Sequence, residues 1–528
     1  MTSSDASSAP RLAPLWAILA CTLGALTLAY PALTGGFLVS AVSDQYIAGY
    51  SFRDFAAASL RSGDGIPLWN PYLFGGLPYV AAMHGDIFYP TALLRMFLPT
   101  DVAMTWGMIL HLVLAGVATY AFLRLLRVRF HAALLGGIAY MMSGQVASLV
   151  SPGHDGKLFV SALLPITLLV LTHGIRDGRR WAWGALAVTV GLGVLTPHPQ
   201  LLQYLLLAAG SWALFLASGR SGAMSALPNR DRLIRLGVAL GAVLLGFAIG
   251  AVQYLPVAEY VDWSPRSGGR DYDYATSFSM PIEELVNTYL PQFSGILDRY
   301  WGRNGIHLHS EYLGAGVLLL ATVGLGARRR DERRGLVWFW VGTLVVSLLW
   351  ALGGNTPFYQ LVYAIVPGSK FFRAPSTIFY VTTFATAMLA AFGTEQLLDG
   401  ALGRRAFAWS AGLAVGIAGL ASAGMFDNLA LAVATIPQLE ANIAANSGEV
   451  IGGAWRSGLF LVLVAAIGLG VAERRLTRRS PAGRWPPSPW RISGASSGST
   501  SRSRRLRPRA LRPIRRSIGS RRMRPPSG

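Results

Sequence analysis

Twelve segments of this chain are apolar enough to cross a bilayer, and arginine marks every second break between them. The segments lie at roughly 13–34, 102–123, 131–151, 158–174, 182–197, 200–218, 236–258, 311–327, 335–352, 374–394, 406–425 and 457–472. A hydrocarbon core of about 30 Å asks for about 20 such residues per helix. With residues 1–12 taken as cytoplasmic, one set of loops holds Arg124, Arg127 and Arg129, then Arg176, Arg179 and Arg180, then Arg230, Arg232 and Arg235. The same side later holds Arg328 to Arg330, Arg333, Arg334, Arg404, Arg405, Arg474 and Arg475. Cationic loops stay in the cytoplasm, so the alternation predicts twelve spans with both ends inside. The long loops at 35–101, 259–310 and 426–456 are then external.

Composition excludes an ordinary soluble enzyme: 52% of the 528 residues are hydrophobic and 13% are charged. The net charge of +21 is not a nucleic-acid signal, because residues 481–528 hold thirteen arginines and no acid. That tail, with the preceding 476–480, has no apolar periodicity and is expected to be disordered. Its Arg/Ser/Pro/Gly composition is also what a GC-rich gene yields out of frame. Cys21 is the only cysteine, so no internal disulfide can hold the external loops. Pro197 and Pro199 split one apolar stretch, and a tight turn there makes two spans of it.

The first external loop is the richest region. Asp44 follows the first apolar run within one or two turns. A carboxylate at that depth can take a proton from an acceptor hydroxyl or hold a divalent ion. Residues 50–60 place Phe52, Phe55, Ala56, Ser59 and Leu60 on one side and Arg53, Asp54 and Arg61 on the other. This predicts a juxtamembrane amphipathic helix with its charges in water. The run Pro67 to Pro78, dense in aromatics, Gly and Pro, reads as an ordered turn at headgroup depth. His84 and Asp86, with Gly85 between them, can converge on one ligand.

These motifs carry a family resemblance. Asp44-Gln45-Tyr46, Leu68-Trp69-Asn70-Pro71 with Gly75-Gly76-Leu77-Pro78, and Gly85-Asp86 with Tyr89-Pro90 resemble the first external loop of the YfhO family of bacterial polytopic membrane proteins. Gly153-His154-Asp155-Gly156-Lys157, His198-Pro199-Gln200, Gln253-Tyr254-Leu255-Pro256 with Glu259, Glu311-Tyr312 and Phe372-Arg373-Ala374-Pro375 fit the same pattern, over roughly 12–475. The resemblance implies an all-α, GT-C-like glycosyltransferase of the bacterial cytoplasmic (inner) membrane with its active face outside. It also implies a polyprenyl-phosphate sugar as donor, a cell-envelope polymer, lipid or protein as acceptor, and a catalytic acid in the first loop, which maps onto Asp44. Many members continue into an external C-terminal domain, so the tail that begins near residue 478 is a departure.

The remaining candidates follow from chemistry. Lys157, one of two lysines, and Arg373 are on the side from which positive residues are mostly excluded, and both suit a donor phosphate. His154, Asp155, His198, Gln200, Gln253 and Glu259 are candidate substrate contacts, with interfacial anchoring and turn capping as the bland alternatives. A divalent cation is compatible with Asp44, Asp86 and His84. Asp271-Tyr272-Asp273 has the form of a DxD metal motif but stands on the wrong side for nucleotide sugars. His307 and His309 could join a metal site but read more simply as solvated loop histidines, and His111 should face the bundle. The expected activity is glycosyl transfer. A transporter or lipid flippase, or a non-catalytic membrane protein, is the alternative, although ionisable residues at one face and no visible repeat favour the enzyme.

Overall fold

The computed structural model describes residues 12–33, 43–219, 228–304, 307–329, 331–434 and 436–479. The arginine-rich tail lies outside the described residues. The described chain is mostly helical, with one two-stranded antiparallel sheet in the first long loop.

Each of the twelve apolar segments corresponds to a helix, but they differ in length. Eight helices are long and apolar enough to cross a membrane: those beginning at Thr100, Asp155, Pro199, Asn229, Arg333, Pro375, Arg404 and Pro437. Helices Ala13–Leu28, Phe130–Met141, Trp181–Val194 and Ala315–Gly324 have 16, 12, 14 and 10 residues. At 1.5 Å per residue the 12-residue helix reaches only about 18 Å, so a count of twelve full spans does not follow from the structure.

Burial orders the helices. Phe379–Leu398 is the hub, where only Gln396 and Leu398 escape full burial. It meets Ala315–Gly324 through Gly393 and Gly324, each facing the other helix's backbone. Small residues at a crossing let two helices approach to backbone contact, which replaces hydrophobic drive inside a bilayer. Asn229–Ile249 and Arg404–Ser422 lie at the edge, and Leu240, Leu244 and Leu413 on them stay more than half exposed. Such a belt of bare leucine suits lipid contact.

The two ends of the bundle differ in chemistry. At one end Arg129 donates from its backbone N–H to Glu395 at 2.8 Å and pairs with Asp399 at 3.1 Å. Arg333 also reaches Glu395, at 3.1 Å, and the Leu126 carbonyl, at 2.9 Å. Arg176 and Arg235 cap the carbonyls of Leu125 and Ile175. Four of the arginine loops read from the sequence therefore meet in space. Helix Asp155–Leu171 continues to Arg176 at that end and starts beside His154 at the other. Reporter fusions after residues 70, 290 and 440 are expected to signal as external, and an internal signal at 290 would overturn the assignment of sides.

Several boundaries move. The turn at 195–198 does separate two helices. Asn229–Ile249 begins before the expected 236 and gives way after Gly250 to Ala251–Val261. Most of the expected loop at 426–456 is helix: Met425–Leu431, and the first part of a 43-residue helix, Pro437–Arg479. Gly448, Gly452 and Gly453 break its apolar pattern without breaking its hydrogen bonds.

Candidate functional site

The site is built where the first long loop docks against the start of helix Asp155–Leu171. A single π-helical turn, Gln45–Gly49, runs into helix Tyr50–Ser62. Gln45 enters a space that Gly49 and Gly153 leave free; a Cβ at either glycine would collide with its side chain. There its amide donates to the Gly153 carbonyl at 2.6 Å and to Asp155 at 3.1 Å.

Arg53 lies deeper. Helix Tyr50–Ser62 forms as expected, but Arg53 is not on a solvated face: its side chain is 4% exposed. The guanidinium pairs with Asp86 at 2.9 Å and Asp155 at 2.7 Å, and donates to Gln45 at 2.7 Å. Arg95 completes the network with a second bond of 2.9 Å to Asp86. Burial alone would push Asp86 up, but Arg95 and Arg53 outweigh it and hold the carboxyl at about 2. The expected convergence of His84 and Asp86 on one ligand is not what the structure shows. Asp86 is sealed between two arginines. The His84 ring stacks on Phe52 at 4.5 Å and meets Tyr79 edge-on. Two short strands, Trp69–Asn70 and Leu77–Pro78, close the aromatic turn beside it, and Gly76 leaves room for the Trp69 ring.

Above this sealed network sits an open one. The side chain of Asp44 is 71% exposed, and its Oδ2 is 3.1 Å from His154 Nε2. The hydrogen bond from His154 holds the Asp44 carboxyl below the usual range, with burial opposing. Burial pushes His154 down in turn, so the imidazole is neutral and Nε2–H is its donor. Its Nδ1 faces inward, 3.1 Å from Lys157 Nζ and 2.9 Å from His309 Nε2; Lys157 also lies 3.3 Å from His309. Burial and the charge on Lys157 push His309 well below its normal value. An ionised carboxylate thus faces solvent, backed by a neutral imidazole and a lysine.

His198 caps helix Pro199–Ala217 by accepting from Leu201 N at 3.4 Å. Burial, then the charge of Lys157, depresses it strongly, and Arg266 adds to this. Arg266 and Arg270 line an open cavity of ≈390 Å³ with Tyr260 and Tyr274, against the Ala81–Met83 turn. The Arg270 guanidinium stands 4.9 Å over the Tyr274 ring, and Arg373 lies 5.3 Å from Phe278 and 6.0 Å from Tyr274. Arg270 and Arg373 therefore share the Tyr274 ring.

The remaining candidates are placed elsewhere. Gln200 binds backbone, donating to the Arg373 carbonyl at 2.5 Å and to Tyr204 at 2.8 Å. Gln253 is buried, reaching the Val80 carbonyl at 3.4 Å, and Glu259 is exposed on the next turn of its helix. Asp271 caps the short helix Tyr272–Thr276 by accepting from Tyr274 N, so the DxD run is a helix start. His111 does face the bundle, between Tyr89 and Phe159.

Sequence reasoning missed Gln45, Arg53, Arg95, Arg266 and Arg270, and set His309 aside. The arginines had a usable signal. They occur in loops that the sequence reading assigns to the external side, which it takes to be poor in positive charge, the same argument that singled out Arg373.

No family profile matches the chain, so the YfhO resemblance gains no support there, and no curated protein matches it. Among solved structures it is similar to ArnT from Cupriavidus metallidurans bound to undecaprenyl phosphate, at 14% identity and a TM-score of 0.45, over 86% of this chain and 76% of that one. It is also similar to the archaeal oligosaccharyltransferase AglB from Archaeoglobus fulgidus in complex with an inhibitory peptide and a dolichol-phosphate, at 9% identity and a TM-score of 0.43. The apo form of the Archaeoglobus fulgidus oligosaccharyltransferase gives 10% and 0.42. The chain spans 56% of each of these last two. The likeness concerns the general arrangement of helices and is too distant to bear on activity.

Proposed function

We propose that this protein is a membrane glycosyltransferase that moves a sugar from a polyprenyl-phosphate donor to an acceptor hydroxyl at the outer face of the bacterial cytoplasmic membrane. The observation that carries this reading is the Asp44 carboxylate: ionised, open to solvent, and held by His154 in front of Lys157 and His309. The acceptor oxygen attacks the anomeric carbon, the bond from that carbon to the phosphate oxygen breaks, and Asp44 takes the hydroxyl proton. His154 keeps the carboxylate in one orientation. Asp86 and Asp155, sealed under Arg53, hold the loop in register rather than touch substrate.

The phosphate needs cations, because stabilising the leaving group supplies much of the rate. Lys157, engaged by two imidazoles, and Arg373 were the clamps expected from the sequence. Arg266 and Arg270 in the open cavity are better disposed, since guanidinium forks match phosphate oxygens. Transfer of a labelled hexose from polyprenyl phosphate, measured with purified protein in detergent, tests the activity. Replacing Arg266 and Arg270 together by glutamine should raise the donor KM roughly ten- to hundredfold, as expected for losing charged hydrogen bonds of about 1.5–3 kcal/mol. An unchanged KM would remove the cavity from the reaction. Movement of the labelled lipid across a vesicle bilayer without transfer would favour the flippase.

A further inference from the structure

Glu284, His307 and Glu311 form a second constellation, and the proposed transfer uses none of them. One ligand atom from each lies within 4.8 Å of the other two. All three are shielded: Glu284 is 2% and Glu311 7% exposed, and the His307 side chain 11%. His307 donates Nδ1–H to the Gly295 carbonyl at 2.9 Å. That bond turns Nε2 to the carboxylates, 3.0 Å from both Glu311 oxygens. A ligating histidine is commonly oriented in this way, its far nitrogen tied to a carbonyl. Tyr300 donates to Glu284 Oε1 at 2.5 Å, and Asn287 reaches Glu311 Oε2 at 3.4 Å.

The charge balance makes the cluster unusual. Buried carboxylates are paired with cations or bind metals. Asp86 and Asp155 follow the first course, each on an arginine. Among the described residues no arginine or lysine forms an ion pair with Glu284 or Glu311; only His307 stands between them.

We propose that Glu284, His307 and Glu311 hold a divalent cation of the zinc class. One imidazole and two carboxylates, with a fourth position left over, is a donor set that zinc accepts. The ion would join the turn Ile282–Thr288 to the run 307–311 in a chain whose only cysteine, Cys21, is buried elsewhere. The same run carries His309 to His154, and Ser310 N to the Ser148 hydroxyl at 3.0 Å. A cation here would fix that run against the open Asp44 network, although metal binding itself stands independently of the transfer reading.

The test needs no activity. Full-length protein, purified in detergent with a tag free of histidine, is stripped with chelator, loaded with zinc chloride, desalted and analysed for metal. About one zinc per chain is expected, together with a rise of several degrees in the unfolding midpoint over the chelated protein. The double variant Glu284→Gln/Glu311→Gln keeps the side-chain volumes and should lose the zinc and the zinc-dependent rise. Parent protein that retains no stoichiometric zinc, or a double variant that binds as much as the parent, would overturn the proposal. Because the parent alone with and without zinc is decisive, a variant that fails to fold does not shelter it.

Discussion

Asp44→Asn is expected to lower sugar transfer by about 10²–10⁴-fold, the usual loss when a general base is removed. The fold should survive. The side chain is 71% exposed, and an asparagine Oδ1 can still accept from His154 Nε2–H. Binding of the donor should change little, since the phosphate-facing residues are untouched. The informative readout is therefore kcat at saturating donor, with KM as the control. His154→Gln tests the positioning role in the same assay and should cost less than Asp44→Asn, because the carboxylate remains. If Asp44→Asn were as active as the parent, Asp44 would not be the base. Asp86 would not replace it, because both of its oxygens are engaged by arginine.

The second large effect concerns stability. Arg53→Met should destabilise the protein by about 3–5 kcal/mol, the cost of breaking a buried pair and leaving its partner charged. Two carboxylates depend on Arg53, and Asp155 loses its strongest partner. The loss should appear as a lower unfolding midpoint or poor recovery from detergent. Asp155→Asn in the same background should restore part of it, because an amide is cheaper to bury than a carboxylate. A change below about 1 kcal/mol would show the network to be dispensable. The pH dependence has a definite sign. Asp86 has a folded pKa of about 2, below the ordinary value near 3.9. Its stabilisation is present above pH ~4 and is lost as pH falls towards 2.

The sequence by itself determined what a one-dimensional pattern can carry. Apolar length marked twelve segments that each contain a helix, eight of them long enough to cross a membrane, and four of the arginine loops meet at one end of the bundle, because apolar length and arginine placement obey rules that a bilayer imposes on each segment separately. Asp44, His154 and Lys157 also stood out in the sequence as unusual side chains beside apolar segments, and the structure brings them together. Tertiary structure alone decided how these residues are paired. Asp86 and Asp44 look alike in the sequence, yet one is sealed between Arg53 and Arg95 while the other opens to solvent. The amphipathic reading of residues 50–60 put Arg53 in water, because helical periodicity reports a face but not what that face packs against. Two carboxylates more than thirty and one hundred residues away reverse the assignment. Contacts of that separation have no local signature. Glu284, His307 and Glu311 are legible only once the chain has folded back to bring them within 4.8 Å.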